Sequence, residues 1–261
     1  RLVGWALWHP RGAHRGGFWS GSRGATRKNP KPEGAALKLY YHPVSTTSRP
    51  IMAFAADHPL SLELQVVDLM TGEHLQPAYT GINPSQQVPM LEDGDFRLTE
   101  CSAILKYLAD TCDSPAYPKE LKARARVNEM MDWFNTGLSR DLGYGVVYPQ
   151  VLPHYRRPDP AAQAGHVAWG CEKARRWLGI LDQKILGDGR EWVAGDTMTL
   201  ADYLGAGILT LGEVIRLDYA GYPNVQRWLA SIKRRPTWAS TNEAFYAYFV
   251  APYKDTPFVG L

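Results

Sequence analysis

Leu37-Lys38-Leu39-Tyr40-Tyr41 opens the first ordered pattern of the chain and reads as a short strand closed by Pro43. A loop of small hydroxyl residues follows, Ser45-Thr46-Thr47-Ser48. Pro50 then starts the apolar segment Ile51 to Ala56, which predicts a helix because proline fits a first helical turn. Leu62, Leu64 and Val66 alternate with Glu63 and Gln65, predicting a half-buried strand. Residues 73–80 suit a short helix. Val88 to Leu91 and Phe96 to Leu98 flank Glu92-Asp93-Gly94-Asp95, and the Asp-Gly pair signals a hairpin. From Glu100 onward, Ile104, Leu105 and Leu108 share one helical face. The order β-α-β-α-β-β-α demands one small mixed sheet with helices packed on it.

Beyond Pro118 the pattern changes to one of helices alone. Val127, Met130, Met131 and Phe134 recur at helical spacing, as do Trp169, Ala174 and Trp177 to Leu181. Thr199-Leu200-Ala201-Asp202 has the form of a capping box with Asp in the acidic position, and Met198 and Tyr203 stand where a hydrophobic staple would. Asn224 to Ile232 forms another helix, ended by Pro236. The expected organisation is an α/β domain over residues 37–112, a linker from Asp113 to Pro118, an all-α domain over 119–252 and a tail over 253–261. Residues 1–36 are rich in Gly, Arg and Trp and lack sustained periodicity. They read as a disordered extension, with an Arg-rich organelle transit peptide as the alternative.

Composition narrows the class. The formal charge of +3 conceals a division: residues 1–36 carry +6, which leaves the remaining 225 at −3. The body is mildly acidic, so no nucleic-acid partner is expected. No apolar run approaches a membrane span, so no membrane partner is expected either. Cys101, Cys112 and Cys171 form an odd, sparse set without metal-ligand spacing. That predicts no metal, no disulfide framework, and a reducing, cytoplasmic location.

Three features of the first domain carry possible chemistry. The hydroxyl cluster, with Arg49 behind it, either caps the next helix or offers hydroxyl donors. Gln86-Gln87-Val88-Pro89 places proline at the head of a strand. A trans bond there is an ordinary edge, whereas a cis bond turns the backbone of Val88 outward to pair with an extended peptide. Thr99-Glu100-Cys101-Ser102 is either a plain helix start or a site for an amino acid's two charges. Glu100 would take the ammonium, and free N–H groups at the helix N-terminus the carboxylate.

Together these stretches resemble the glutathione site of the cytosolic glutathione transferase family, over nearly all of residues 37–250. Leu39 to Ser45 followed by Arg49 is similar to the serine loop of the theta and delta classes, of a bacterial theta/delta-like kind. Asn83 to Leu91 resembles the family's cis-proline stretch, Thr99 to Leu108 its glutamate-serine helix start, and Ala194 to Asp202 its helix-initiating element in the second domain. The resemblance implies a thioredoxin-like N-terminal domain, an all-helical C-terminal domain and a homodimer. It also implies glutathione as co-substrate, and conjugation of a small hydrophobic electrophile in detoxification. Dehalogenation, ether cleavage, isomerisation or a non-catalytic binding role are its alternatives.

By the same resemblance Ser45 activates the thiol, Val88 pairs with the cysteinyl backbone and Glu100 binds the γ-glutamyl ammonium. Gln86 meets the glycyl end, and Gln87, Pro89, Cys101 and Ser102 complete the glutathione-binding set. Cys101 departs from the family's serine, and its place at a helix N-terminus predicts a stabilised thiolate. Aligned from Pro43, a beta-class enzyme would place its reactive cysteine at Thr46, which makes Thr46 the second candidate for the activating hydroxyl. Phe134, Arg140, Tyr144, Tyr148 and His154 are candidates for an electrophile pocket between the domains, or else core and dimer contacts. Other Met and Trp residues of the second domain are expected in the core.

Overall fold

Strand β1 (Leu37–Tyr41) is an inner strand of a four-stranded sheet in the computed structural model, which describes residues 37–261. The extension expected over residues 1–36 lies outside the described residues. The strand order is β2-β1-β3-β4. β1 pairs in parallel with β2 (Leu62–Val66), Leu39 facing Leu64, and antiparallel with β3 (Met90–Asp93), Leu39 facing Leu91. A parallel return needs a crossover, and α1 (Arg49–Asp57) supplies it. β3 turns into β4 (Phe96–Thr99) through Gly94 and Asp95, with Gly94 at a left-handed φ of 65° that suits glycine. α3 (Cys101–Thr111) packs beside α1. The short helix α2 (Pro77–Thr80) sets Tyr79 against Val67 and Val88.

β2 is less buried than its alternation predicts: Leu64 is 49% and Val66 43% exposed. Alternation sorts side chains onto faces, but a face is buried only where a second layer covers it, and β2 is an edge strand.

α4 (Leu121–Asp132) starts at Glu120, whose carboxylate accepts the N–H groups of Lys122 and Ala123. Its path continues through wide π-type turns over Trp133–Val147 into α5 (Tyr148–Val151). α6 (Pro160–Ile180) crosses this stretch at Gly145 and Gly170, where the backbones touch. α7 (Leu200–Thr210) is buried along its whole length and begins with the expected Thr199–Asp202 box. The Asp202 carboxylate also accepts Val193 N–H and Trp228 Nε1, tying the box to α8 (Pro223–Lys233). α9 (Trp238–Phe245) completes the helical layer. Among the described residues no strand follows Thr99. Trp169, expected in the core, is 51% exposed on α6.

The sheet-bearing and helical parts share one apolar core, running from Leu39 and Phe54 through Leu105 to Met131, Leu204 and Trp228. Two buried polar clasps reinforce the join. Arg49 donates to Thr210 Oγ1 (3.0 Å), Asn242 Oδ1 (2.8 Å) and the Gly207 carbonyl (3.1 Å), and its guanidinium lies 3.7 Å from the Phe245 ring centre. Burial lowers its pKa to about 10. At the far end of α1, Asp57 accepts from Tyr203 (2.7 Å), Arg235 (2.8 Å) and Thr237 (2.5 Å). Both ends of α1 are thereby anchored to the helical part.

Candidate functional site

The hydroxyl loop is the entry turn of α1. Ser45 N–H donates to the His42 carbonyl, and the Ser45 carbonyl accepts from the N–H groups of Ser48 and Arg49. Ser45 Oγ accepts the Ser48 N–H (3.2 Å) and lies 3.2 Å from Thr47 Oγ1. Capping and chemistry are therefore not alternatives here, since the capping hydroxyl remains half-buried at the loop surface. Thr47 donates to the Val88 carbonyl (3.2 Å). Thr46 is buried, and its Oγ1 accepts from Tyr148 (3.0 Å).

The Val88–Pro89 peptide bond is cis. The loop before it is held by its Gln87 carbonyl, which accepts from Tyr79 (2.6 Å) and Asn83 (2.8 Å). Gln86 and Gln87 are exposed, with Gln86 at a φ of 58°. The hairpin register pairs Met90 with Thr99, so the next residues outward, Pro89 and Glu100, fall side by side. Glu100 is exposed at a φ of 69°, and its carboxylate bonds no other described residue. The first helical hydrogen bond of α3 runs from Ile104 N–H to the Glu100 carbonyl, which leaves the N–H groups of Cys101 and Ser102 without helical acceptors. A carboxylate and a positive helix end thus stand beside the Val88 backbone.

Cys101 does not carry the thiolate expected of it. It is 5% exposed, and burial, followed by the nearby charge of Glu100, pushes its thiol pKa well up. Desolvation of the charged form outweighs the helix terminus.

A cleft of about 310 Å³ separates the loop from the helical part. Ser45, Thr46, Thr47, Gln86, Gln87 and Val88 line one wall. Tyr144, Tyr148 and His154 line the other. Glu100, Cys101 and Ser102 do not line this cleft, and Pro89 is buried at its edge. Tyr148 stacks on Tyr155 at 5.3 Å and meets Tyr144 edge-on at 5.1 Å, forming an aromatic cluster. Burial raises the Tyr148 phenol to about 12.

Two expected pocket residues lie elsewhere. Phe134 is fully buried, stacked 6.0 Å from Trp228 in the core. Arg140 is turned to Asp141, donating at 2.8 and 2.9 Å, while Asp141 also accepts from Trp177 on α6 (2.7 Å). Phe134 continues the buried face of Val127, Met130 and Met131, while Arg140 lies within the wide turns between 133 and 147. The sequence reading missed Leu152, Tyr155 and Phe249, which line the aromatic wall, and His74, which lines the loop side. His74 Nδ1 is buried without a partner. Its signal was a titratable residue in the short helical turn after Gly72, whereas Phe249 had none, lying far along the chain. Among the described residues no cluster of His, Cys, Asp or Glu could hold a metal ion, and no helix is long and apolar enough to cross a membrane.

Comparison with known proteins agrees with this geometry. The model of the glutathione S-transferase N-terminal domain matches residues 35–110, and that of the C-terminal domain residues 155–236. Human glutathione S-transferase theta-2 is 33% identical over 202 residues, covering 76% of this chain and 80% of the relative. Theta-1 from Mus musculus is 35% identical over 209 residues, covering 76% and 82%. Among solved structures, apo human glutathione-S-transferase T1-1 aligns with a TM-score of 0.67 at 30% identity, covering 85% of this chain and 92% of that one. A delta-class glutathione transferase from Nilaparvata lugens aligns with a TM-score of 0.69 at 30% identity, covering 82% and 96%.

Proposed function

The chain belongs to the glutathione S-transferase family and is a glutathione transferase, and on that premise we propose the role of each residue in its cleft. The carrying observation is that Ser45, Val88 before its cis bond to Pro89, and an aromatic wall line a single cleft. Glutathione lies along Val88 as an added strand, its cysteinyl amide paired with the Val88 backbone. Glu100 holds the γ-glutamyl ammonium, and the free N–H groups of Cys101 and Ser102 hold the adjoining carboxylate. The thiol of Cys101 is not needed for this, because the backbone N–H survives the departure from serine. Gln86 and Gln87 receive the glycyl end, with the His74 ring beside them.

This pose sets the sulfur at Ser45. A free thiol ionises near 8.5, so at neutral pH only a minor fraction is nucleophilic. A hydroxyl donated to the sulfur favours the thiolate, and the N-terminus of α1 adds to the effect. The proton leaves to solvent, and the thiolate attacks an electrophilic carbon of an alkyl or aryl substrate. The C–S bond forms as the carbon's bond to a leaving group such as halide breaks, and the halide departs with its electron pair. Tyr144, Tyr148, Tyr155 and Leu152 favour a small, flat, hydrophobic electrophile. The enzyme acts in detoxification as a cytoplasmic homodimer, and light scattering at micromolar concentration tests the assembly.

The deciding experiment compares Ser45→Ala with Thr46→Ala. Ser45→Ala is expected to raise the pKa of bound glutathione and to lower turnover by about one to three orders of magnitude, at about 1.4 kcal/mol per decade, with a much smaller loss of glutathione binding. An effect confined to Thr46→Ala would move the chemistry to Thr46. A panel of aryl halides, haloalkanes and aryl ethers separates conjugation from dehalogenation and ether cleavage.

A further inference from the structure

The hydrogen-bond directions around Ser45 follow from proton counting. The Val88 carbonyl can only accept, so Thr47, 3.2 Å away, must donate its single hydroxyl hydrogen to it. Thr47 then has no hydrogen left for Ser45, so in the 3.2 Å contact between the two hydroxyls Ser45 is the donor. Ser45 Oγ meanwhile accepts the Ser48 N–H. In this arrangement the Ser45 hydrogen is held on Thr47. Both hydroxyl contacts are long for O–H donors, which prefer about 2.5–3.0 Å, so they are readily exchanged.

We propose that Thr47 is a positioning residue that makes activation of the thiol conditional on a peptide lying along Val88. The inference rests on the Ser45 role given above. A cysteinyl N–H arriving at the Val88 carbonyl is a well-aligned ladder donor and displaces the long Thr47 contact. The freed Thr47 hydrogen turns to Ser45 Oγ. Ser45 then accepts from both Thr47 and Ser48, and its own hydrogen is left to point at the sulfur. Two donors onto one hydroxyl oxygen also polarise it and strengthen its outgoing bond. The same peptide amide that fixes the substrate's position thereby reverses the hydroxyl pair and arms it. A thiol without that amide N–H leaves the Ser45 hydrogen where it was.

The test reads the ionisation of bound thiol by thiolate absorbance against pH at saturating ligand, for glutathione and for its analogue methylated on the cysteinyl nitrogen. In the wild type the analogue's bound thiol should titrate about 0.5–1 unit above that of glutathione, which is about a threefold to tenfold smaller thiolate fraction at low pH. Thr47→Val, which removes the acceptor holding the Ser45 hydrogen, should make the two ligands titrate alike, with a glutathione KM within about twofold of wild type. Thr47→Ser should restore the wild-type difference between the two ligands. Equal titration of the two ligands in the wild type would overturn the proposal without recourse to any variant. So would a difference between the two ligands that survives in Thr47→Val, or in Thr47→Ala if the valine variant does not fold, provided Ser45→Ala shifts the bound thiol. If Ser45→Ala leaves the titration unmoved as well, it is the Ser45 role that fails.

Discussion

Tyr148 donates its phenolic hydrogen to Thr46 Oγ1 at 3.0 Å, so a residue of the electrophile wall holds the loop that presents Ser45. The half-buried phenol is raised to about 12 by desolvation, and remains a donor throughout the neutral range. Its folded pKa lies above the ordinary value near 10, so its contribution to stability is complete below that value and disappears as pH rises towards 12. Tyr148→Phe should cost about 1 kcal/mol in denaturant unfolding at pH 7, the net worth of one buried hydrogen bond. The difference spectrum between wild type and variant should show one tyrosine titrating near 12. A midpoint near 10 would contradict the burial.

Cys101→Ser should keep conjugating activity and leave the KM for glutathione equal or lower. The thiol is buried and protonated at neutral pH, and a hydroxyl is the better donor. Thiol reagents at pH 7 should label native Cys101 slowly. Rapid labelling, or a folded serine variant that binds glutathione without turnover, would assign the chemistry to the thiol.

The Gly145–Gly170 crossing should be intolerant of a methyl group. A Cβ at Gly170 would lie 2.9 Å from the Gly145 Cα and closer still to its carbonyl, and backbone cannot swing away as a side chain does. Gly170→Ala should cost about 1–3 kcal/mol, the usual range for overpacking. Because Tyr144 adjoins Gly145, the KM for the electrophile should rise more than that for glutathione. Gly165→Ala, with open space on the same helix, should be neutral or stabilising by about 0.5–1 kcal/mol.

Asp57 predicts an acid limb. Burial opposes its charge, but the bonds from Thr237, Tyr203 and Arg235 outweigh it and hold the carboxyl below its usual range. A depressed folded pKa means that this stabilisation is present above the ordinary value near 3.9 and is lost as pH falls through the folded one. Asp57→Asn should cost about 2 kcal/mol at pH 7, and the gap between variant and wild type should close below about pH 4. A constant gap across that range would show that charge is not what Asp57 contributes.

The elements of the first domain were legible because each carries its own local signal. The Asp93-Gly94 turn, Pro50 in a first helical turn and the Thr199–Asp202 box act over a few residues, and all three appear where the sequence placed them. The loop wall of the cleft was legible for a related reason: Ser45, Val88 and Glu100 each stand at the end of a local element, and one sheet register brings two of them together. The opposite wall was only partly readable. Tyr144 and Tyr148 line the cleft, while Phe134 stays with Val127, Met130 and Met131 in the core and Arg140 pairs with Asp141. Burial of Cys101, the join of Arg49 to α7 and α9, and the arrival of Phe249 beside residues some 200 positions earlier depend on long-range packing. What the sequence determined was the set of elements and the chemistry at their ends. The tertiary structure alone decided which side chains share a cleft and which lose their water, because both depend on layers that only the folded chain brings together.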